Sequence, residues 1–357
     1  LATKTRLEEK AVKLAQEIAR YLLPVNQFSV MDHTLNELQL LRSFRGSAQE
    51  NVRDETRYLL AKMIEKITEG DKSILEELRE PVISARGYGT SQQYISENKA
   101  EFDDSLGGRT SKLELFDPRS REVVARAIRN VLGVSKSQMS DHEALMRAMD
   151  PAQNGLLADV FETGINDPLT QCLQLFNFQF ATVLSHSGHS QGQRHRGVSG
   201  AVPPIESMFD GTADYFVPMI VKEDPKLFEW YQKKSEQIFY NVNRCLESGM
   251  PKKAALMLIP NSFNIRFFET GNLSPTSLFH KDKLRLCLNA QEEIFFSVLD
   301  QVEQTIAVLP EARVMLLAPC GVRTAALIRP RCPEGKRWCG QQIWGEPIED
   351  YRAGRLI

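Results

Sequence analysis

Apolar side chains recur every three or four residues along much of the chain, the spacing that places them on one face of an α-helix. The first such stripe consists of Leu7, Ala11, Leu14, Ile18 and Leu22. It ends at Pro24, since proline cannot continue a helix. Similar stripes occupy residues 52–80 and 227–245, and another over residues 284–309 predicts one long helix that ends at Pro310.

Two helix starts have their own sequence signals. Asp117 and Pro118 fit an N-cap and a first helical position, and Gly133 closes the apolar run that follows them. Ser140 and Glu143 have the spacing of a capping box, in which each side chain bonds the backbone N–H of the other. These signals predict two consecutive helices.

A strand is predicted between residues 176 and 184, where bulky side chains alternate. Phe176, Phe178 and Phe180 fall on one side of it. A polar segment follows at residues 185–204, with three of the six histidines of the chain, two arginines and four glycines. Residues 83–108 have no clear period and are rich in glycine, so we interpret them as a linker.

A short phrase recurs within the chain. Residues 19–24, Ala-Arg-Tyr-Leu-Leu-Pro, return as residues 255–260, Ala-Leu-Met-Leu-Ile-Pro, at an offset of 260 − 24 = 236. Two interpretations stay open: a chance likeness of short strings, or a duplication in which the chain starts partway through a first copy and contains a complete second one. The duplication predicts that residues 1–80 pack against residues 215–310 as a pseudo-symmetric partner.

Composition limits the classes of function. Forty-four basic and 46 acidic side chains give a formal charge of −2, so no global field attracts nucleic acid or an anionic membrane. No apolar run approaches the roughly 20 residues of a membrane helix. Six cysteines in no dense framework favour a reducing compartment such as the cytoplasm. Because the chain begins with Leu1, we expect it to be a piece of a longer protein.

Several short blocks follow one another between residues 185 and 294. They comprise Ser185, Gln191, the run Arg194-His195-Arg196 with Ser199, residues 255–260, Asn272, residues 277–280, Leu284-Arg285, Ala290-Gln291 and Glu293-Ile294. Their order and spacing resemble the motifs of the flavin-dependent thymidylate synthases, whose signature opens with Arg-His-Arg and a Ser two residues later. The resemblance covers about residues 170–310 and, through the repeat, more weakly residues 1–80.

The chain departs from this family where the nucleotide is held. The family motif continues with Asn and then Ser-x-Arg-Tyr, but this chain has Ala201, Pro204, Glu206 and Ser207 at those positions. The family's upstream His-x-Ser block and the arginine after its conserved Asn are also missing. The positions that would face a flavin are therefore better kept than those that would face the substrate.

The resemblance implies an α+β (mixed α/β) fold of long helices packed on a small, mainly antiparallel sheet. It also implies FAD as cofactor, with NADPH and methylenetetrahydrofolate as co-substrates for reductive one-carbon transfer to a pyrimidine nucleotide such as dUMP. An altered substrate stays open, as does a catalytically degenerate homologue that binds flavin or nucleotide in an assembly or regulatory role. We expect a homo-oligomer, since the sites of this family form between subunits, and no nucleic-acid or membrane partner.

The candidate site residues follow from the matched blocks. Gln191, Arg194, His195, Arg196 and Ser199 are the candidates for binding FAD, because guanidiniums contact phosphate through two bonds and imidazole can donate to a flat ring. Without the other blocks, this segment would be interpreted as a solvated loop. Arg285 and Gln291 are the candidates for binding the substrate, with surface packing and a local backbone bond as their alternatives.

The last stretch of the chain raises a separate question of metal binding. Cys320, Cys332 and Cys339 fall within twenty residues of one another. A structural zinc site has four ligands, so zinc would need a distant fourth ligand such as Cys287, while an iron–sulfur cluster could use three. Buried, inert thiols are the remaining interpretation.

These patterns together predict three parts. Residues 1–100 would be the C-terminal part of a degenerate first copy with its linker, residues 101–310 a second and more complete copy, and residues 311–357 a tail rich in Cys, Pro and Arg.

Overall fold

The computed structural model describes residues 2–27, 30, 32, 34–49, 52–78, 91–159 and 161–354. Its architecture is α+β, with long helices packed on one small antiparallel sheet, as predicted. No helix within these ranges is long and apolar enough to cross a membrane.

The sheet has its strands in the order β1-β2-β4-β3, with each neighbouring pair antiparallel. They are β1 Ser111–Phe116, β2 Phe178–Ser185, β3 Ser199–Ala201 and β4 Asn264–Gly271. β2 and β4 pair along their whole length, from Phe178 opposite Gly271 to Ser185 opposite Asn264. The predicted strand is therefore confirmed, and Phe178 and Phe180 are fully buried in the largest core cluster.

Helices surround the sheet. In chain order they are α1 Ala2–Ala19, α2 Glu37–Gly46, α3 Asp54–Gly70, α4 Ile74–Glu77, α5 Gln92–Leu106, α6 Ser120–Leu132, α7 Asp141–Met149, α8 Pro168–Gln171, α9 His186–Gly192, α10 Met219–Glu223, α11 Pro225–Glu247, α12 Lys252–Ala255, α13 Leu278–Arg285, α14 Glu292–Val308, α15 Pro319–Ala325 and α16 Tyr351–Gly354. α14 packs on β1 and β2. A second core cluster joins α11 to β4 through Phe239, Val242 and Phe267.

Several helix boundaries agree with the sequence, but the start of α6 does not, and the stripe over residues 52–80 is divided between α3 and α4. Both bonds of the predicted capping box are present, and Gly133, at φ 69°, ends α6 in the left-handed conformation. The predicted start of α6 is wrong: Asp117 forms a turn in which its carboxylate accepts the backbone N–H of Arg119 at 2.9 Å, and the helix begins at Ser120. The Asp117 carboxylate thus makes the bond expected of a cap, but in the turn before the helix, which begins two residues later than predicted.

The linker prediction over residues 83–108 is wrong for α5. Ser91 caps the start of this helix and Gly107, at φ 60°, ends it. The helix carries few apolar side chains, of which Ile95 and Leu106 are buried. Residues 83–90 lie outside the described residues. A weak apolar stripe of this kind looks like a linker in the sequence because tertiary contacts stabilise the helix more than its own pattern does.

The single long helix predicted over residues 284–309 is also wrong. The helix is interrupted between α13 and α14, where Gln291 adopts an extended backbone with ψ 140°. Leu286 before the break and Phe295 after it still lie in one core cluster. The apolar stripe is therefore continuous although the helix is not.

The two copies of the repeated phrase contact each other. Pro24 and Pro260 form an antiparallel bridge, flanked by bonds from Val25 N to Ile259 O at 2.9 Å and from Asn261 N to Leu23 O at 2.8 Å. Adding 236 to the donor's residue number in the first bond, and subtracting 236 from the acceptor's, gives the second bond, so exchanging the two copies exchanges the two bonds. The same holds for the bonds Asn26 N to Met257 O and Ser262 N to Tyr21 O. The first pair of reciprocal bonds belongs to any antiparallel bridge, and the second pair extends the same local two-fold relation. The duplication itself stays a prediction.

Candidate functional site

The segment predicted to bind FAD begins where β2 ends. Ser185 is the N-cap of α9, and its hydroxyl accepts the backbone N–H of Gly188 at 3.0 Å. After α9 a turn carries Arg194 to Arg196, and β3 then returns the chain to the sheet beside β4. Part of the polar segment 185–204 therefore forms a helix and a strand, which its polar composition did not predict.

Two glycines let this segment lie against its neighbours. A Cβ at Gly188 would come within 2.5 Å of the Glu293 carboxyl, and one at Gly197 would come within 1.8 Å of the Thr276 carbonyl oxygen. The hydroxyl of Ser277 also donates to the Gly197 carbonyl at 2.6 Å. Close backbone contact therefore fixes the position of the Arg-His-Arg turn.

A chain of hydrogen bonds connects four of the predicted site residues. Arg285 donates from Nε to His195 Nε2 at 2.9 Å, and from Nη2 to the Gln191 carbonyl at 3.0 Å. The Gln191 amide donates in turn to the side-chain oxygen of Gln291. The Gln291 amide donates to the Tyr21 hydroxyl, which comes from the first copy of the repeat. The structure therefore brings Gln191, His195, Arg285 and Gln291 together.

Glu293 is the buried acceptor at the end of this chain. Its carboxylate accepts the backbone N–H of Ser185 and the Tyr21 hydroxyl, each at 2.7 Å, and the Gln291 amide at 2.9 Å. Burial raises the pKa of Glu293, and the bonds from Ser185 oppose that rise. This residue joins the first-copy segment, α9 and α14 in one network.

A cleft of about 360 Å³ opens beside the network. Arg196 and Ser199 line it, together with His189 from α9. Glu269 and Lys281 also line it and form an ion pair at 2.8 Å. Burial alone would raise the pKa of Glu269, but the Lys281 ammonium holds it below its usual value. The cleft therefore combines the exposed guanidinium of Arg196 with the ion pair of Glu269 and Lys281, whose charges neutralise each other.

His195 is held in its neutral form. Burial and the nearby Arg285 charge lower its pKa to about 3. Its Nε2 accepts from Arg285, so Nδ1 carries the proton, and this buried N–H has no hydrogen-bond partner among the described residues. Burial and the charge of Arg194 also lower the pKa of Arg285. Arg194 is exposed, so it acts on the network as a nearby charge.

Sequence reasoning missed several polar residues of this site. Glu293 stood within a matched block but had no assigned role, and Tyr21 stood in the repeated phrase. Lys281 and Glu269 had no separate signal, because an isolated charged residue in a sequence is usually exposed. Burial of a paired charge becomes visible only when β4 and α13 are placed together.

The close contact at Gly197 gives a testable prediction. We expect Gly197→Ala to lower the free energy of unfolding by about 1–3 kcal/mol, because the new methyl group must push the turn away from the Thr276 carbonyl. Urea unfolding followed by circular dichroism measures this change. Gly192→Ala is the matched control, since its Cβ would have nothing within 4 Å. Equal stability of the two variants would contradict the contact.

The tail cysteines predicted to bind metal also come together. Cys320, Cys332 and Cys339 line one small cavity, and Cys287, from the turn between α13 and α14, lines it too. This cavity is separate from the cleft at Arg196, with which it shares no lining residue.

Comparison with known proteins adds one match. The family model described as thymidylate synthase complementing protein matches residues 112–311. A search of curated proteins found no significant match to the chain. The matched range contains all four strands of the sheet except for the first residue of β1.

Proposed function

The chain belongs to the thymidylate synthase complementing protein family, whose model covers more than half of it, and we propose that it is an FAD-dependent transferase of the thymidylate synthase type. In this proposal it transfers one carbon reductively to a pyrimidine nucleotide such as dUMP, or to a related substrate. The observation that carries the proposal is the cleft beside the Arg-His-Arg turn, at the edge of the network that holds His195 and Arg285.

The residues present at the cleft fit a flavin dinucleotide. Arg196 lines the cleft, and Arg194 lies two residues earlier in the same turn without lining it. Both guanidiniums are exposed, with no ion-pair partner among the described residues, and would be available to a pyrophosphate. The volume of about 360 Å³ lies near the lower end of the roughly 300–1,000 Å³ of small-molecule sites. It suits a ring system, and the rest of the dinucleotide would lie over the exposed arginines. We expect a second subunit to cover that exposed part, as a homo-oligomer would allow.

The roles of the residues follow from their positions. Bound there, reduced FAD would supply hydride, with NADPH as reductant and methylenetetrahydrofolate as the one-carbon donor. Arg196 and Ser199 would bind the cofactor, and Gln191 would hold the turn through Arg285. His195, neutral at physiological pH, would keep Arg285 oriented and offer its Nδ1–H. Arg285 and Gln291 do not line the cleft and both bond Gln191, so they would act on a substrate from beside it.

A second candidate is a homologue that binds flavin or nucleotide without turnover. The specific observation in its favour is the loss of the nucleotide-holding residues, since Ala201, Pro204 and Glu206 stand where the family has Asn, Ser and Arg. Without that arginine, a nucleotide phosphate would have one fewer bidentate partner. Turnover distinguishes the two candidates.

The direct test is a spectrum followed by an assay. A protein that purifies yellow, or that binds added FAD, and forms dTMP from dUMP with NADPH and methylenetetrahydrofolate supports the first candidate. Flavin binding without turnover on pyrimidine nucleotides supports the second. A folded protein that takes up no FAD contradicts both.

The arginines give a sharper prediction. We expect the double variant Arg194→Ala, Arg196→Ala to bind FAD at least about a hundredfold more weakly, because each charge-assisted hydrogen bond contributes roughly 1.5–3 kcal/mol. Fluorescence titration with FAD measures the affinity, and circular dichroism should stay unchanged since both side chains are exposed. Lysines at both positions should restore the affinity only in part, because a point charge does not reproduce the planar guanidinium.

The matched control removes two other exposed arginines, Arg119 and Arg126, near the start of α6. The variant Arg119→Ala, Arg126→Ala has the same change in net charge and should bind FAD as the wild type does. A folded Arg194, Arg196 double variant that keeps the wild-type flavin occupancy would overturn the assignment of the turn.

A further inference from the structure

Four of the six cysteines surround one point in the fold, although they come from three separate places in the chain. Cys287 lies in the turn between α13 and α14, Cys320 lies in the first turn of α15, and Cys332 and Cys339 lie in the tail. All four line the same cavity. The other two cysteines, Cys172 and Cys245, do not line it.

The ionisation of these thiols is consistent with their shared place at the cavity. Burial raises the pKa of Cys320 to about 12, and the negative charges that Cys287, Cys332 and Cys339 would carry add to the rise. Burial likewise raises the pKa of Cys287 to about 11, again with contributions from Cys339 and Cys332. Ionisation of one cysteine at the cavity would therefore raise the pKa of the half-buried Cys287 and Cys320 further.

The cavity has room for one ion and for little else. Its volume is about 10 Å³, close to that of a single small sphere. An iron–sulfur cluster, with several iron and sulfide atoms, is larger than this space. Leu288, Pro319 and Ile343 supply an apolar wall. A small cavity lined by four cysteines matches a single metal ion of the kind that soft ligands select.

The tail is held to the body by Ile343, Ile348 and Tyr351, which are buried in the largest core cluster, but the loop that carries Cys332 and Cys339 contains no helix or strand of its own beyond one short turn. Its elements between α15 and α16 are turns of three residues, Gly335–Arg337, Ile343–Gly345 and Ile348–Asp350. One hydrogen bond, from the Asn289 amide to the Arg337 carbonyl at 2.7 Å, connects the loop between Cys332 and Cys339 to the turn that carries Cys287. A metal ion would join the same two segments by covalent-strength bonds.

We propose that Cys287, Cys320, Cys332 and Cys339 bind one structural zinc ion that fixes the tail to the body of the protein. Four thiolates give the closed tetrahedral set of a structural site, with bonds of about 2.3 Å. No three or more Cys, His, Asp or Glu side chains in the described ranges already stand in the arrangement of a metal site. Binding therefore requires rotamer changes that turn the sulfurs inward, with release of the four thiol protons to solvent.

The experiment measures metal in the full chain, purified under reducing conditions and without a polyhistidine tag. Mass spectrometry of the metal content should give about one zinc per chain in the wild type. Each of Cys287→Ser, Cys320→Ser, Cys332→Ser and Cys339→Ser should reduce this to less than about a tenth, since a structural site needs its complete ligand set. Cys245→Ser is the matched control, because that cysteine is also half-buried but lies on α11, and it should keep one zinc.

A measurement on the wild type does not depend on the folding of the variants. Replacement of zinc by Co²⁺ should give the visible spectrum of a tetrahedral ion with four thiolate ligands. Wild-type protein that contains no zinc and takes up neither Zn²⁺ nor Co²⁺ overturns the proposal. Iron with broad visible absorption overturns the choice of zinc, and a folded serine variant with a full equivalent of zinc overturns the four-thiolate site. None of these results depends on flavin binding, so the proposed function is tested separately.

Discussion

The free energy of unfolding should fall by about 1.4 kcal/mol for each pH unit between roughly pH 5 and 8, through the side chain of Asp282. This aspartate on α13 is fully buried, and neither of its carboxyl oxygens has a hydrogen-bond partner among the described residues. Burial raises its pKa to about 8, and the Lys281 charge opposes the rise. In the unfolded chain its pKa returns to about 3.9.

Stability falls as the pH rises because the folded protein binds more protons than the unfolded chain in this range. Between the two pKa values the folded protein holds a proton on Asp282 that the unfolded chain has lost, so stability is fully present below pH 4 and is lost as the pH rises to about 8. Urea unfolding at pH 5, 6, 7 and 8 measures the slope. Asp282→Asn should remove its share of that slope, because an amide does not titrate in this range.

Other groups also titrate in this window, so the comparison between wild type and variant is the decisive quantity. Asp104→Asn, on the exposed side of α5, is the matched control and should keep the wild-type slope. If Asp282→Asn showed the same pH dependence as the wild type, the carboxyl would be ionised in the folded state, and a partner for it would have to exist.

Glu293→Ala should lower the free energy of unfolding by about 3 kcal/mol or more, because the variant leaves several buried donors without an acceptor. The Ser185 backbone N–H, the Tyr21 hydroxyl and the Gln291 amide all donate to this carboxylate. Each buried donor without a partner costs about 1–3 kcal/mol. Chemical denaturation at fixed pH measures the loss.

Two further variants test whether the hydrogen-bond network causes this loss of stability. Tyr21→Phe removes one donor and leaves the carboxylate its other bonds, so we expect a smaller loss of about 1 kcal/mol. Glu229→Ala, at an exposed position of α11, should change stability little. A loss for Glu293→Ala no larger than that for Glu229→Ala would mean that water satisfies these donors, and the network would not join the first-copy segment to the site.

The sequence predicted the elements whose signals are local. The capping box at Ser140 and the alternating phenylalanines of β2 each arise from neighbouring residues, and the structure confirms both. The matched blocks identified Gln191, His195, Arg285 and Gln291, which the fold brings into one hydrogen-bonded chain. Their proposed contacts with FAD and substrate stay predictions.

The rest required the tertiary structure. The break between α13 and α14 leaves the apolar period unchanged, so the sequence pattern could not reveal it. Tyr21 reaches Glu293 across 272 positions of the chain, and Cys287 lies at the tail cavity far from the other cysteines. Such contacts depend on how helices are placed in space. No local spacing in the sequence records them.

The reciprocal bonds at Pro24 and Pro260 have a consequence for how this protein can change. In a dimer of identical chains, a substitution at the axis appears twice, and its energetic cost counts twice. In the predicted duplication Tyr21 corresponds to Met257, since 21 + 236 = 257, so one copy supplies a hydroxyl to Glu293 where the other has a thioether. Two copies joined in one chain would not have to remain alike, and each could specialise without altering its counterpart.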